Sequence, residues 1–168
     1  MEINEIISRE FEQRLLIEGV ERIKKCISYL SDEEIWTKPN SNSNSIGNLI
    51  VHLEGNVRQY ILSSVGGEKD TRQRTKEFED GGIRDTKEAI NRLTKAVRQS
   101  VEVVKGLEAG EYKREEEVQG FTMTVLSCIV HVIEHFSYHV GQITFYTKFL
   151  KNLDTGYYEG QDLDKRRD

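Results

Sequence analysis

The sequence has no apolar run of the roughly 18 residues that a membrane-spanning helix needs, so no membrane segment is expected. Basic residues do not gather into a stripe; 24 of them stand against 29 acidic ones, for a net charge of −5, and nucleic acid is not an expected partner. Proline occurs once, at Pro39, and cysteine twice, at Cys26 and Cys128, too few for a disulfide framework. The first residues, MEINEIISREFEQ, are acidic and amphipathic, unlike the basic-then-apolar pattern of a secretory signal. A cytoplasmic setting with both thiols reduced is therefore expected. What remains is a 168-residue chain, 36% hydrophobic and 32% charged, of a size to bury one core under solvated helix faces.

Apolar residues recur at helical spacing in four segments. Residues 3–30 read as a first helix with Leu16, Val20, Ile23, Ile27 and Leu30 on one face. Ser31 to Glu34 offer a cap and short turn before Trp36, and TKPNSNSN (37–44) reads as a linker. A second helix is expected from Ser45 to about Ser63, carried by Ile46, Ile50, Leu53, Val57 and Ile61. A third is expected over 85–106, carried by Ile90, Leu93, Val97, Val101 and Val104, and a fourth over 122–150. Residues 64–84 form a long polar loop with two Gly-Gly pairs, and 107–121 are charged and glycine-punctuated, with Glu115–Glu117 read as solvated loop. No segment reads as a strand. The expectation is an all-α four-helix bundle over residues 1–150, with 151–168 as a surface tail. The long loop can cross back over the bundle, since about 20 extended residues reach roughly 65 Å and a 20-residue helix is about 30 Å long. That length makes the second and third helices parallel in the expected topology.

The four histidines are unevenly placed: His52 on the second helix, and His131, His135 and His139 on the fourth. Residues four apart share a helix face, so two imidazoles at that spacing can converge on one ion. Ser127, Glu134, Gly141 and Lys148 repeat every seven residues, are small or charged, and mark the solvent line of the fourth helix. At about 100° per residue, His131 lies about 60° from Glu134, His135 about 100° and His139 about 140°. His135 and His139 therefore point inward with Cys128, Val132, Phe136, Ile143 and Tyr146, and His131 stays near the rim. Buried imidazoles without a shared ligand each need a separate hydrogen-bonding solution, whereas a metal satisfies both. His52, between Leu49 and Asn56 at the margin of its stripe, is the natural third ligand.

The stretches N48-L-I-V-H52-L-E-G-N56 and H131-V-I-E-H-F-S-Y-H-V-G-Q142 resemble the DinB/YfiT-like superfamily, in particular an uncharacterised DinB-like bacterial branch. Trp36 to Tyr60 and the loop ending R74-T-K-E-F78 share that likeness, which spans most of residues 1–150. The resemblance implies an up-down-down-up four-helix bundle with a long crossover between helices two and three, often a homodimer. It implies zinc or nickel held by one His of helix two and a His-x-x-x-His pair before Gly-Gln, here His52, His135 and His139. It also implies a small-molecule substrate and, in some relatives, a low-molecular-weight thiol such as mycothiol or bacillithiol as cosubstrate of an isomerase or S-transferase. Val140 stands where many relatives carry Arg, removing a charge near the site.

Three protein ligands leave one coordination position open, the catalytic rather than the structural pattern. The site thus reads as one that activates a small thiol or water. Asn56, one turn from His52, and Gln142, three residues from His139, are candidates to orient a ligand or a bound water, or to make plain interhelical bonds. Tyr60, Tyr138 and Tyr146 line the pocket or pack; His131 borders it. Glu54 and Glu134 neighbour ligands in sequence but project away and read as solvated surface. Cys128 reads as a buried, inert thiol. His131–His135 also fits His-x-x-Glu-His, the inverted metalloprotease motif, but that reading needs the rim histidine as a ligand and leaves His52 and His139 unexplained. The competing functions are a metal-dependent enzyme, a non-catalytic metal-binding or stress-response bundle, and a structural bundle with packed polar histidines.

Overall fold

In the computed structural model, which describes residues 2–79 and 84–166, five helices and one β-hairpin follow one another along the chain. The second Gly-Gly pair of the long loop, Gly81-Gly82, lies outside the described residues.

Helix α1 passes without a break through Ile3–Glu12, a π-helical stretch Gln13–Val20, and Glu21–Ile27. The wider π turns shift its face. Phe11, Leu15, Val20, Ile23 and Cys26 are fully buried, while the expected Leu16, Ile27 and Leu30 are only half-buried. The step from Leu15 to Val20 is the five-residue spacing of a π turn, which a regular 3.6-residue period does not anticipate. Helix α2, Asp32–Trp36, opens on a reciprocal cap: Ser31 Oγ accepts from the Glu34 N–H at 3.3 Å, and the Glu34 carboxylate accepts from the Ser31 N–H at 2.8 Å. Its Trp36 ring lies flat against Gly47, where a Cβ would collide with it, and its indole N–H donates to Thr86 Oγ1 at 3.1 Å.

Helix α3 comprises Ile46–Val57 and a π-helical continuation, Arg58–Val65. It is buried almost all round its first three turns, as a helix at the centre of a packing arrangement must be. The predicted stripe of Ile46, Ile50, Leu53, Val57 and Ile61 is wholly buried. Helix α4, Thr86–Lys105, is capped by Asp85, whose Oδ1 accepts from the Glu88 N–H at 2.9 Å, and buries Ile90, Leu93, Val97, Val101 and Val104 as expected. Helix α5, Val125–Lys151, starts three residues later than predicted. It ends at Asn152, in the left-handed region at φ 49°.

The delay of α5 has a cause that corrects the all-helical expectation. Strands β1, Glu115–Val118, and β2, Phe121–Thr124, pair antiparallel through Gln119 and Gly120, whose φ values of 53° and 80° suit a two-residue hairpin. Glu115–Glu117 are thus strand, not loop. Their carboxylates stand mostly in solvent, while Val118 is buried.

The four long helices, α1, α3, α4 and α5, share one apolar core; α3 packs on α4 and α5, and α1 packs on the same two. The tail beyond Asn152 is tied to them by Tyr157, whose hydroxyl lies 3.0 Å from Cys26 Sγ on α1 and 2.9 Å from Thr144 Oγ1 on α5. Among the described residues no helix is long and apolar enough to cross a membrane.

Candidate metal centre

His52 on α3 and His135 and His139 on α5 come together, with one ring nitrogen from each within 4.8 Å of the others. His52 Nε2 and His135 Nε2 are 2.9 Å apart. The His135–His139 and His52–His139 ring centroids are separated by 4.5 and 5.1 Å, nearly edge to face. His52 and His139 are buried and His135 is half-buried. This is the trio singled out from spacing and resemblance.

Hydrogen bonds on the far sides of two rings fix what the near sides offer. His52 Nδ1 lies 2.7 Å from Glu77 Oε2, so Nδ1 donates to the carboxylate and Nε2 is the ring nitrogen turned toward His135. His139 Nδ1 donates to Gln142 Oε1 at 2.7 Å, which leaves its Nε2 unprotonated. Burial, then the neighbouring His139, His52 and His131, pushes the His135 imidazole down to about 3; burial also lowers His139. Three ring nitrogens gathered within 4.8 Å of one another fit a divalent cation. At zinc–nitrogen distances of about 2.0–2.1 Å, tetrahedral ligand nitrogens sit roughly 3.3 Å apart.

Sequence reading missed Glu77. It ends the 3₁₀ turn Arg74–Glu77 of the segment joining α3 to α4, and its carboxylate is buried against α3. Three features hold it there. Asn48 Nδ2 donates to the Glu77 carbonyl at 2.9 Å. Arg72, its side chain only 4% exposed, donates to the carboxylate through Nε at 2.7 Å and Nη2 at 3.0 Å, and through Nη1 to Gln59 Oε1 at 2.8 Å. Gly55 leaves the space that Oε1 fills, since a Cβ there would collide with it. Burial alone raises the Glu77 carboxyl, but hydrogen bonds from His52 and Arg72 outweigh it and hold it below its ordinary range. Arg72 Nη2 also lies 3.2 Å from His52 Nδ1; two donors cannot bond each other, and the carboxylate between them accepts from both. The one sequence signal that separated Glu77 from Glu68, Asp70 and Glu79 in the same polar stretch was its place in R74-T-K-E-F78, which carried the resemblance without a role attached to any residue in it.

The remaining predicted residues divide into those at the centre and those beside it. Gln142 touches a ligand ring. Asn56 and Tyr60 reach His131 rather than His52. His131 is half-buried, stacks on Tyr60 with centroids 4.2 Å apart, and stacks on His135 at 5.4 Å. Asn56 Nδ2 lies 3.4 Å from His131 Nε2, while Asn56 Oδ1 is buried without a partner; the amide turned over would accept from a His131 Nε2–H. Tyr60 is buried and donates to Gln119 Oε1 at 3.3 Å. Tyr138 is exposed, with its ring 5.1 Å from His139; Tyr146 stacks on Phe149, away from the trio. Cys128 is fully buried, and burial, then Glu116, pushes its thiol up. His131 stands outside the trio and Glu134 is exposed, so the inverted protease motif is not assembled.

Glu54 corrects the sequence reading. It is buried, not solvated, because Arg92 of α4 approaches its carboxylate at 3.2 Å and Arg58 at 3.7 Å. A carboxylate buried beside α4 needs such partners. It faces them and not the histidines.

Residues 9–157 match the family described as "protein of unknown function (DUF1572)". No protein of curated function matches. Among solved structures, a DinB-like protein from Bacillus cereus is similar at 18% identity and TM-score 0.62, over 80% of this chain and 87% of that one. A conserved protein from Enterococcus faecalis is similar at 12% identity and TM-score 0.69, over 91% of this chain and 99% of that one. At these identities the likeness is one of fold.

Proposed function

For a chain that belongs to the DUF1572 family and has a DinB-like fold, we propose a metal-dependent enzyme in which His52, His135 and His139 hold a divalent ion and a small thiol or water is activated. One observation carries this reading. Three imidazoles from two helices bring ring nitrogens within 4.8 Å of one another, and Glu77 and Gln142 hydrogen-bond the rings of two of them from behind. Carboxylate and amide groups so placed orient metal-binding rings and raise their basicity.

An imidazole set suits zinc or nickel. When bound, such an ion draws protons off a thiol or a water molecule and so provides a nucleophile near neutral pH. The protein's own part is to hold three imidazole ligands in place, leave one coordination position free, and wall the site with Phe78, whose ring lies 5.0 Å from His52. The reading takes the helices as up-down-down-up, with the segment after Val65 as the crossover that delivers Glu77. It takes the setting as cytoplasmic, in keeping with two free, buried cysteines. The cosubstrate is a low-molecular-weight thiol and the second substrate a small electrophile, which makes the activity S-transferase- or isomerase-like.

A second reading, metal binding without turnover, draws on the acids nearest the ligands in sequence. Glu54 is taken up by Arg92 and Arg58, and Glu134 is exposed, so neither is placed as a general base. Metal analysis and a thiol assay separate the possibilities. The expected result is about one zinc or nickel per chain in wild type, none in His52→Ala, and metal-dependent consumption of thiol with a panel of electrophiles. Metal without turnover favours the second reading; wild type that never holds stoichiometric metal overturns both.

A further inference from the structure

We propose that Gln119, in the turn of the β-hairpin, is a positioning residue of the metal centre: its one amide clamps two neighbouring residues of α3, Gln59 and Tyr60, whose further contacts end on His52 and His135. The proposal rests on the metal-binding reading of the histidine trio.

The backbone supplies the first observation. Gln119 has φ 53°, in the left-handed region, where Asn152 is its sole non-glycine companion among the described residues. A two-residue hairpin turn with positive φ at both positions favours asparagine or glycine at the first, because a Cβ there crowds the backbone and a longer side chain offers the turn nothing in return. Gly120, at φ 80°, follows that preference and Gln119 does not. A residue kept in a disfavoured conformation directs attention to its side chain.

That side chain is used at both ends of its amide. Nε2 donates to Gln59 Oε1 at 2.7 Å, and Oε1 accepts from the Tyr60 hydroxyl at 3.3 Å. Gln59 and Tyr60 are consecutive on the π-helical part of α3, against which β1 packs, and they lead to different ligands. Gln59 Oε1 also accepts from Arg72 Nη1 at 2.8 Å, while its Nε2 donates to Asp70 Oδ2 at 2.7 Å. Asp70 Oδ1 accepts from the Arg72 backbone N–H at 2.9 Å, so Arg72 is held at both its backbone and its guanidinium. That guanidinium grips Glu77, which meets His52. The second arm is a stack: the Tyr60 ring lies 4.2 Å from His131, and His131 lies 5.4 Å from His135. His139 takes its support from Gln142 instead.

A series of contacts fixes a ligand ring only if its outermost member is itself fixed. Gln119 sits between two paired strands. At their base the Val125 N–H donates to the Arg114 carbonyl at 2.9 Å, and Arg114 Nη2 donates to the Val65 carbonyl at the end of α3 at 2.8 Å. The hairpin is thereby anchored to the helix that carries Gln59, Tyr60 and His52.

Gln119→Gly separates positioning from turn-making, since glycine suits this turn at least as well. With cobalt as the probe, the variant binds about fivefold more weakly, less than the roughly 10–100-fold effect of a group that touches a ligand ring directly. The visible spectrum of the bound cobalt shifts, and helical circular dichroism is unchanged. Gln119→Asn, equally at ease in the turn but one methylene shorter, gives the same losses. In metal-free protein, nitrogen-15 resonances of the His52 and His131 rings move in both variants. A wild type that takes up no cobalt overturns the metal reading and this proposal with it. A wild type that takes up cobalt, with variants that match its affinity and spectrum, overturns this proposal alone. So do His52 and His131 resonances that stay in place.

Discussion

Glu77 Oε2 lies 2.7 Å from His52 Nδ1, so a carboxylate from a connecting segment sets the tautomer of a ring on the central helix. The pairing is local to neither element. It depends on Arg72 neutralising the carboxylate, on Asn48 holding the Glu77 backbone, and on Gly55 leaving room for it. A mostly polar segment is thereby anchored at the end that meets the histidines.

Replacing Glu77 by Gln keeps the shape and one acceptor but removes the charge that both His52 and Arg72 address. Groups behind metal-binding histidines typically contribute 10–100-fold to affinity. Glu77→Gln should weaken zinc binding by about tenfold or more, read by competition against a chromophoric chelator, with helical circular dichroism unchanged. Wild-type affinity in this variant would show that the carboxylate does not act on the ligand ring.

Gly55→Ala tests the same contact from the helix side. The new methyl would occupy the place of Glu77 Oε1 and press on Arg72, two groups already fixed by each other. Overpacking of this kind costs about 1–3 kcal/mol. Denaturant unfolding of the chelated protein should show that loss, and metal titration should show weaker binding. A stability loss with unaltered metal affinity would confine Gly55 to packing.

Metal removal should be visible as stability. A ligand that binds only the folded chain stabilises it by about 4 kcal/mol at a thousandfold excess over its dissociation constant. Wild-type protein should therefore melt several degrees higher with zinc than after chelation. His139→Ala and His135→Ala should melt at the same temperature in both conditions. A metal-dependent shift that survives in both variants would place the binding site elsewhere.

The helices α3 and α4 were legible because their buried residues keep a strict helical period from Ile46 to Ile61 and from Ile90 to Val104. Helix α1 was legible in extent but not in face, since the π stretch at Gln13–Val20 moves the buried position from Leu16 to Leu15. The hairpin left no period-two signal: Glu115–Glu117 are three like residues, and the strand forms through the Gln119-Gly120 turn and its pairing with Phe121–Thr124. At the site, His135 and His139 were readable from one helix alone, and Gln142 from its distance to His139. Glu77 and Arg72 were not, because their burial depends on a contact 25 residues away in the chain from His52, which no local pattern encodes. Glu54 was misread for the same reason, its partner Arg92 lying on another helix.

The tail offers a pH-dependent test. Burial, then the hydrogen bond with Cys26, raises the Tyr157 hydroxyl from an ordinary 10.0 to about 12. A raised pKa means that the folded state keeps the proton longer. Below pH 10 both states hold it and the difference is silent. As pH rises from 10 toward 12 the unfolded chain ionises Tyr157 while the folded chain does not, so stability falls across that window. Tyr157→Phe removes this group from the titration. It also loses the bonds to Cys26 and Thr144, at a cost of about 1 kcal/mol near neutrality. Denaturation midpoints at pH 8, 10 and 11 should therefore start lower in the variant and converge on wild type as pH rises. Parallel curves for the two proteins would mean that folding does not shift the ionisation of Tyr157, and coinciding curves that its hydroxyl does not latch the tail.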